Sequence, residues 1–229
     1  MKSKNLLLLV SLVFVLSSCS IFQGGGSKEF QGEITYKITY PEADLEPAQK
    51  AQLPKQAKVY VKDNYMKMVM NQGMAEIVQL VDGTAKTKTV MVAGGGMKKY
   101  FTQSEEKIKA QNAKTEIVGI EKTEETKEIA GYSTKKVVAK YKNDYGETEE
   151  LTMYYTPKIG NKAINFDNPY MKEIDGMVLQ YEIKQGGMTM QFTADNIEQT
   201  KLKETDFLIP EDYEKLTEEE LKQMGGGGK

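Results

Sequence analysis

The 229-residue chain has no histidine, and all 31 of its basic residues are lysine, so arginine is missing as well. Without histidine the usual general base, proton shuttle and nitrogen metal ligand are gone. That excludes Ser-His-Asp and Cys-His catalysis, histidine-held zinc and histidine-ligated haem. Without arginine there is no bidentate guanidinium fork for carboxylate or phosphate. Cys19 is the sole cysteine, so no disulfide forms within the chain and the fold rests on its own core. An enzyme built from what remains would have to use carboxylate, lysine or tyrosine chemistry. The chain reads as non-enzymatic. Its formal charge of −2 and the lack of a basic stripe also make nucleic acid a poor partner.

Long apolar runs are equally scarce, and the one that exists is informative. Residues 6–16 are apolar apart from Ser11, follow Lys2 and Lys4, and lead into Ser17-Ser18-Cys19. The run is shorter than the ~20 apolar residues needed to span a bilayer, and its basic flank and small residues are those of a secretory signal. Cys19 stands where a lipoprotein signal peptidase acts. Residues 1–18 are therefore expected to be a lipoprotein signal peptide and Cys19 the acylated residue. A covalent lipid on Cys19 is the sole prosthetic group expected, and it makes the membrane a partner. Residues 19–28, with Gly24-Gly25-Gly26-Ser27, read as a flexible tether.

Beyond the tether the chain is rich in strand patterns. From Phe30 to Tyr40 the odd and even positions divide strictly: Phe30, Gly32, Ile34, Tyr36, Ile38 and Tyr40 fall on one face, polar residues on the other. Period two over this length is a half-buried antiparallel strand. Further strands are expected at 58–62, 65–71, 75–81, 88–93, 97–102, 115–122, 127–130, 134–142, 148–155, 177–184 and 188–197. Asp63-Asn64, Gly73, Asp82-Gly83, Gly94-Gly95-Gly96, Asn143-Asp144-Tyr145-Gly146 and Gln185-Gly186-Gly187 separate several of them as turn formers. Residues 104–113 read as a surface helix or extended loop, and 157–176 as irregular. Thr217 with Glu220 is a capping-box pattern, predicting a short helix after residue 214 and then a glycine tail. Short strands in a meander argue an all-β single domain over 29–214: one curved antiparallel sheet or incomplete β-barrel.

Methionine is the unusual ingredient, with 13 in the chain. Met66, Met68 and Met70 share one face of a strand, and Met188 and Met190 share one face of another. Flexible, polarizable thioethers suit a surface that accepts several apolar shapes, and they equally suit plain core filling. Both readings stand on the pattern alone. A copper site is disfavoured, because same-face residues are ~6.5–7 Å apart and no histidine or second cysteine joins them. The glutamate and lysine clusters lack the spacing of a calcium loop, so no metal is expected.

Three segments carry a resemblance: Gln31-Gly32-Glu33-Ile34-Thr35-Tyr36; Ile129-Ala130-Gly131-Tyr132 with Met153-Tyr154-Tyr155-Thr156-Pro157; and Phe207-Leu208-Ile209-Pro210-Glu211-Asp212-Tyr213. Over residues 29–214 the chain resembles a domain family of unknown function found in Bacteroidetes-type lipoproteins. That family is similar in strand order to the outer-membrane lipoprotein carrier and receptor proteins. The resemblance implies a curved sheet wrapped partly around a helix, with an apolar concave face, in an outer-membrane lipoprotein facing the periplasm. The chain departs from the carriers in having no arginine. On this reading Phe30, Ile34, Tyr36, Ile38, Met66, Met68, Met70, Met188 and Met190 line a concave cavity for an apolar, lipid-like ligand. The rival reading is an envelope module that holds a protein partner through a sheet edge or face.

Overall fold

A computed structural model describes residues 30–41, 46–143, 145–185, 188–217 and 219–221. The expected signal peptide (residues 1–18), Cys19, the expected tether, Asp144, Gly186-Gly187 and the glycine tail lie outside the described residues.

Alternating and continuous apolar runs become twelve strands of one all-β sheet that does not close into a barrel. β1 is Gln31–Thr39, β2 Gln56–Lys62, β3 Tyr65–Gln72, β4 Ala75–Asp82, β5 Thr87–Gly94 and β6 Met97–Gln103. β7 is Ile117–Ile129, β8 Tyr132–Lys142, β9 Thr148–Thr156, β10 Met177–Gln185, β11 Met188–Gln199 and β12 Glu214–Lys215. The order is β12-β6-β5-β4-β3-β2-β1-β11-β10-β9-β8-β7. A plain meander would leave β1 at an edge. Here β1 sits in the middle, antiparallel to both β2 and β11. The sheet is thus an up-and-down barrel cut once, between β6 and β7. Helix α2, Glu105–Asn112, lies on the connection across that cut, with Ser104 accepting from the Lys107 amide and acidic residues in its first turn. Helix α1, Pro47–Gln52, lies between β1 and β2.

Two expected elements differ. The gap expected at 123–126 is part of the continuous strand β7, whose register against β8 slips between Lys122 and Thr126. A bulge breaks the alternation there, which is why the sequence looks like two strands. Within the helix expected after residue 214, Lys215 instead belongs to β12, which pairs parallel to β6. The capping box itself forms: the Thr217 amide donates to Glu220 at 2.8 Å and the Glu220 amide to Thr217 at 3.2 Å.

The sheet buries apolar residues on both faces. On the inner face Ile34, Tyr36, Val59, Val61, Val137, Met153 and Leu179 pack in the main core. This concavity is filled by the irregular connection 157–176, whose Ile159, Ile164 and Ile174 are each 0% exposed. Asn165 ties this plug together, donating to the carbonyls of Ile174 (2.9 Å) and Gly176 (2.8 Å). The resemblance implies a helix in this place; an irregular segment carrying a single 3-10 turn, Lys162–Asn165, occupies it. On the outer face Val78, Leu80 and Met91 form a second core with Leu202 and Phe207. Residues 200–216 thus form a strap over the outer face, ending beside β6.

Candidate functional site

The nine expected site residues share the inner face. Pairing carries the face from strand to strand, because partners in a ladder project to the same side. Ile34 pairs with Val59 and Val59 with Met68; Tyr36 pairs with Ala57 and Ala57 with Met70. Met66 pairs with Val61, and Ile38 with Phe192 of β11, the strand that also carries Met190 and Met188. The structure divides them by burial. Phe30, Ile34, Tyr36 and Ile38 are interior residues of the main core, closed off from solvent. Met66, Met68, Met70 and Met190 are half-buried against that core. Met188 edges a shallow cleft of about 340 Å³ with Leu53 and Gly73. The clefts at α2, under the strap, beside β6 and beside β9 are lined by none of the others.

The reason for the division is the plug. It seats on the β2 end of the concavity: a methyl built on Gly160 would stand 2.6 Å from Ile164 Cδ1 and 3.6 Å from Val61 Cγ1. It is held there by Asn161, which donates to the Asp63 carbonyl and the Asn64 side chain, and by an ion pair of Lys88 with Asp167 at 2.8 Å. β1 is tied to the other arm of the sheet through the Tyr36 hydroxyl, which donates to the Val178 carbonyl at 2.7 Å. Tyr36, Tyr181 and Phe192 form an aromatic ladder, with the last two stacked at 4.9 Å. Burial pushes the Tyr36 and Tyr181 phenols above their ordinary range, so both are neutral.

Beyond β3 the inner face continues with apolar residues that belong to neither packed cluster. Met68 pairs with Gln79, Gln79 with Val90 and Val90 with Phe101; Met70 pairs with Ile77 and Ile77 with Val92. Ile77, Val90, Val92 and Phe101 are half-buried. With the methionines they make a wall four strands wide, roughly 14 Å across and 13 Å along the strands at ordinary sheet spacings, with the half-buried Gln79 as a polar group between Met68 and Val90. Charged pairs bound it: Lys88 with Asp167 at the plug, and Lys99 with Glu214 and Glu220 at the sheet edge. Sequence reasoning found the methionines and missed their neighbours, because Ile77-Val78, Val90-Met91-Val92 and Tyr100-Phe101 are apolar on both faces and no alternation singles out the inner one.

A polar cleft of about 420 Å³ lies beside β8, β9 and β10, with Tyr141, Tyr170 and Leu151 in its walls. Glu149 at its rim accepts from Lys184 (2.7 Å), Asn143 (2.8 Å) and Tyr141 (2.9 Å). Lys184 first, then Asn143 and Tyr141, hold its carboxyl down to about 2. A carboxylate so committed to donors is a poor proton acceptor at neutral pH, and its role is to fix the β8–β10 rim.

Among the described residues no three His, Cys, Asp or Glu side chains group as metal ligands, and no helix is long and apolar enough to cross a membrane. Compared with protein-family models and with curated proteins, the chain matches none.

Proposed function

We propose that the chain is a non-enzymatic envelope lipoprotein, anchored to the outer membrane through a lipid on Cys19 and facing the periplasm. In this reading its inner sheet face receives an acyl-like apolar ligand, as the resemblance to the lipoprotein carrier half-barrels implies. The observation that carries it is the wall of Met66, Met68, Met70, Ile77, Val90, Val92 and Phe101, apolar around a single glutamine, Gln79, and half-buried where the plug stops. Thioethers on such a wall adapt to chains of several shapes, and each Å² of ligand surface buried contributes roughly 25 cal/mol. The ligand region is therefore narrower than the sequence reading had it. Phe30, Ile34, Tyr36 and Ile38 flank the wall as packed core on the same face, and the three methionines of β3 touch the ligand.

A second reading, a protein partner laid on the same wall, draws support from the filled concavity, since a shallow face with charged rims also suits a protein surface.

Uptake of a fluorescent fatty acid separates the two. Wild type is expected to bind saturably, Met68→Lys to lose binding through the cost of burying a charge, and Phe101→Ala to weaken it about fivefold through lost apolar area. Melting curves establish that each variant is folded. Unchanged uptake in folded Met68→Lys and Phe101→Ala removes the apolar-ligand reading and leaves the protein partner. The anchor is tested by metabolic labelling with a fatty-acid probe: wild type takes label, and equal labelling of Cys19→Ala contradicts acylation there.

A further inference from the structure

The cut in the barrel has a chemistry of its own. Where α2 crosses between β6 and β7, a cleft of about 690 Å³ opens between that helix, the β4–β5 turn, the start of β7 and the plug. Four lysines line it: Lys86, Lys109, Lys162 and Lys172, with one carboxylate, Glu105, among them. A local surplus of positive charge in a chain of net −2 needs an account, because like charges gathered around one concavity repel. Lys109 is paired with Glu105 at 2.8 Å and Lys162 with Glu173 at 2.6 Å. Among the described residues Lys86 and Lys172 make no ion pair, although Lys86 lies in the field of Glu105 and Lys172 in that of Glu173, each carboxylate being bonded to another lysine.

Lys86 is placed with some care. Its backbone is left-handed, φ 54°, a conformation that glycine or asparagine adopts more readily than lysine. That turn sets its ammonium 4.9 Å from the centroid of the Phe166 ring. Phe166 and the buried Ile108 of α2 give the cleft an apolar floor beneath the charges. Cations at the rim and hydrocarbon below are complementary to a molecule with an anionic head and an apolar body.

We propose that this cleft binds a phosphate-headed amphiphile, with the phosphate between Lys86 and Lys172 and the adjoining carbon chain over Phe166 and Ile108. Lysine suits this as a point charge that needs no fixed fork, which is the mode left to a chain without arginine. The site shares no residue with the methionine wall and stands whether or not that wall binds acyl chains.

Calorimetry on the full chain tests it with three probes below their aggregation concentrations: dihexanoyl phosphatidylglycerol, dihexanoyl phosphatidylcholine and inorganic phosphate. Phosphatidylglycerol is expected to bind saturably and at least tenfold more tightly than either of the others. Replacing both Lys86→Gln and Lys172→Gln should weaken it at least tenfold, and the control pair Lys135→Gln and Lys158→Gln, on exposed strand and turn positions, should leave it unchanged. Inorganic phosphate binding as tightly as the lipid would overturn the amphiphile and leave a free-anion site. Equal loss in the control pair would reduce the effect to net charge, and no binding by wild type would end the proposal. Melting curves of both pairs confirm folding, and the Met68→Lys variant should keep this binding, so failure here and failure of the acyl-ligand reading are separable.

Discussion

Tyr36 is wholly buried, yet it keeps a polar atom in the core because the Val178 carbonyl accepts from it. Tyr36→Phe leaves that carbonyl without its donor and is expected to cost about 1–2 kcal/mol in denaturant unfolding. The phenol also sets an alkaline limit. Its folded pKa lies above the unfolded value of 10.0, so its contribution is fully present below pH 10 and is lost as pH rises through the folded value. Wild type should therefore lose stability above pH 10 more steeply than Tyr36→Phe; parallel curves would contradict the assignment. At this scale the sequence was readable where period two held, as at Ile34, Tyr36 and Ile38. It was silent on what covers them. Ile159, Ile164 and Ile174 follow neither period two nor a helical spacing, so nothing in their pattern marks a plug. Lys86, Lys109, Lys162 and Lys172 are likewise far apart in sequence and meet only through the fold.

The strap is the element whose role was least legible. Phe207-Leu208-Ile209-Pro210 could be recognised as a motif, but its target was hidden in β4, where Ile77-Val78 and Leu80-Val81 are apolar on both faces. Val78 and Leu80 on its outer side need a cover, which the strap supplies, while Ile77 on its inner side stays half-buried. Once the strap lies down, Phe207 meets Tyr65 at 5.6 Å, and Lys67 is pinned beneath it, its ammonium donating to the Asp206 carbonyl at 2.6 Å. Burial holds the Lys67 ammonium below its usual range, the mark of a partly dry site. Phe207→Ala should cost about 3 kcal/mol in urea unfolding and expose the outer face of β3 to β5 to amide exchange. Protection unchanged on those strands would show that the strap is incidental to the second core.

Taken whole, the molecule is a barrel topology with one pair of strands left unjoined. Placing β1 in the middle required knowing that it pairs with β11, a contact between residues far apart in sequence that no local pattern encodes. Close approach fixes it: a methyl on Gly32 would stand 2.1 Å from the Glu198 carbonyl oxygen. The all-β class and most strand positions could be read from alternation and turn residues, whereas the strand order, the plug and the strap depend on long-range packing. In the proposed function the plug is the deciding element, because it turns the deep part of the concavity into core and leaves the β3 to β6 wall half-buried. That division is the central claim. The most direct measurement is a spectrum of the methionine methyl groups, each labelled with carbon-13, during titration with lauric acid. Met66, Met68 and Met70 are expected to shift saturably while the core residues Met153 and Met177 stay in place; shifts absent from the three, or shared equally by all five, would contradict it.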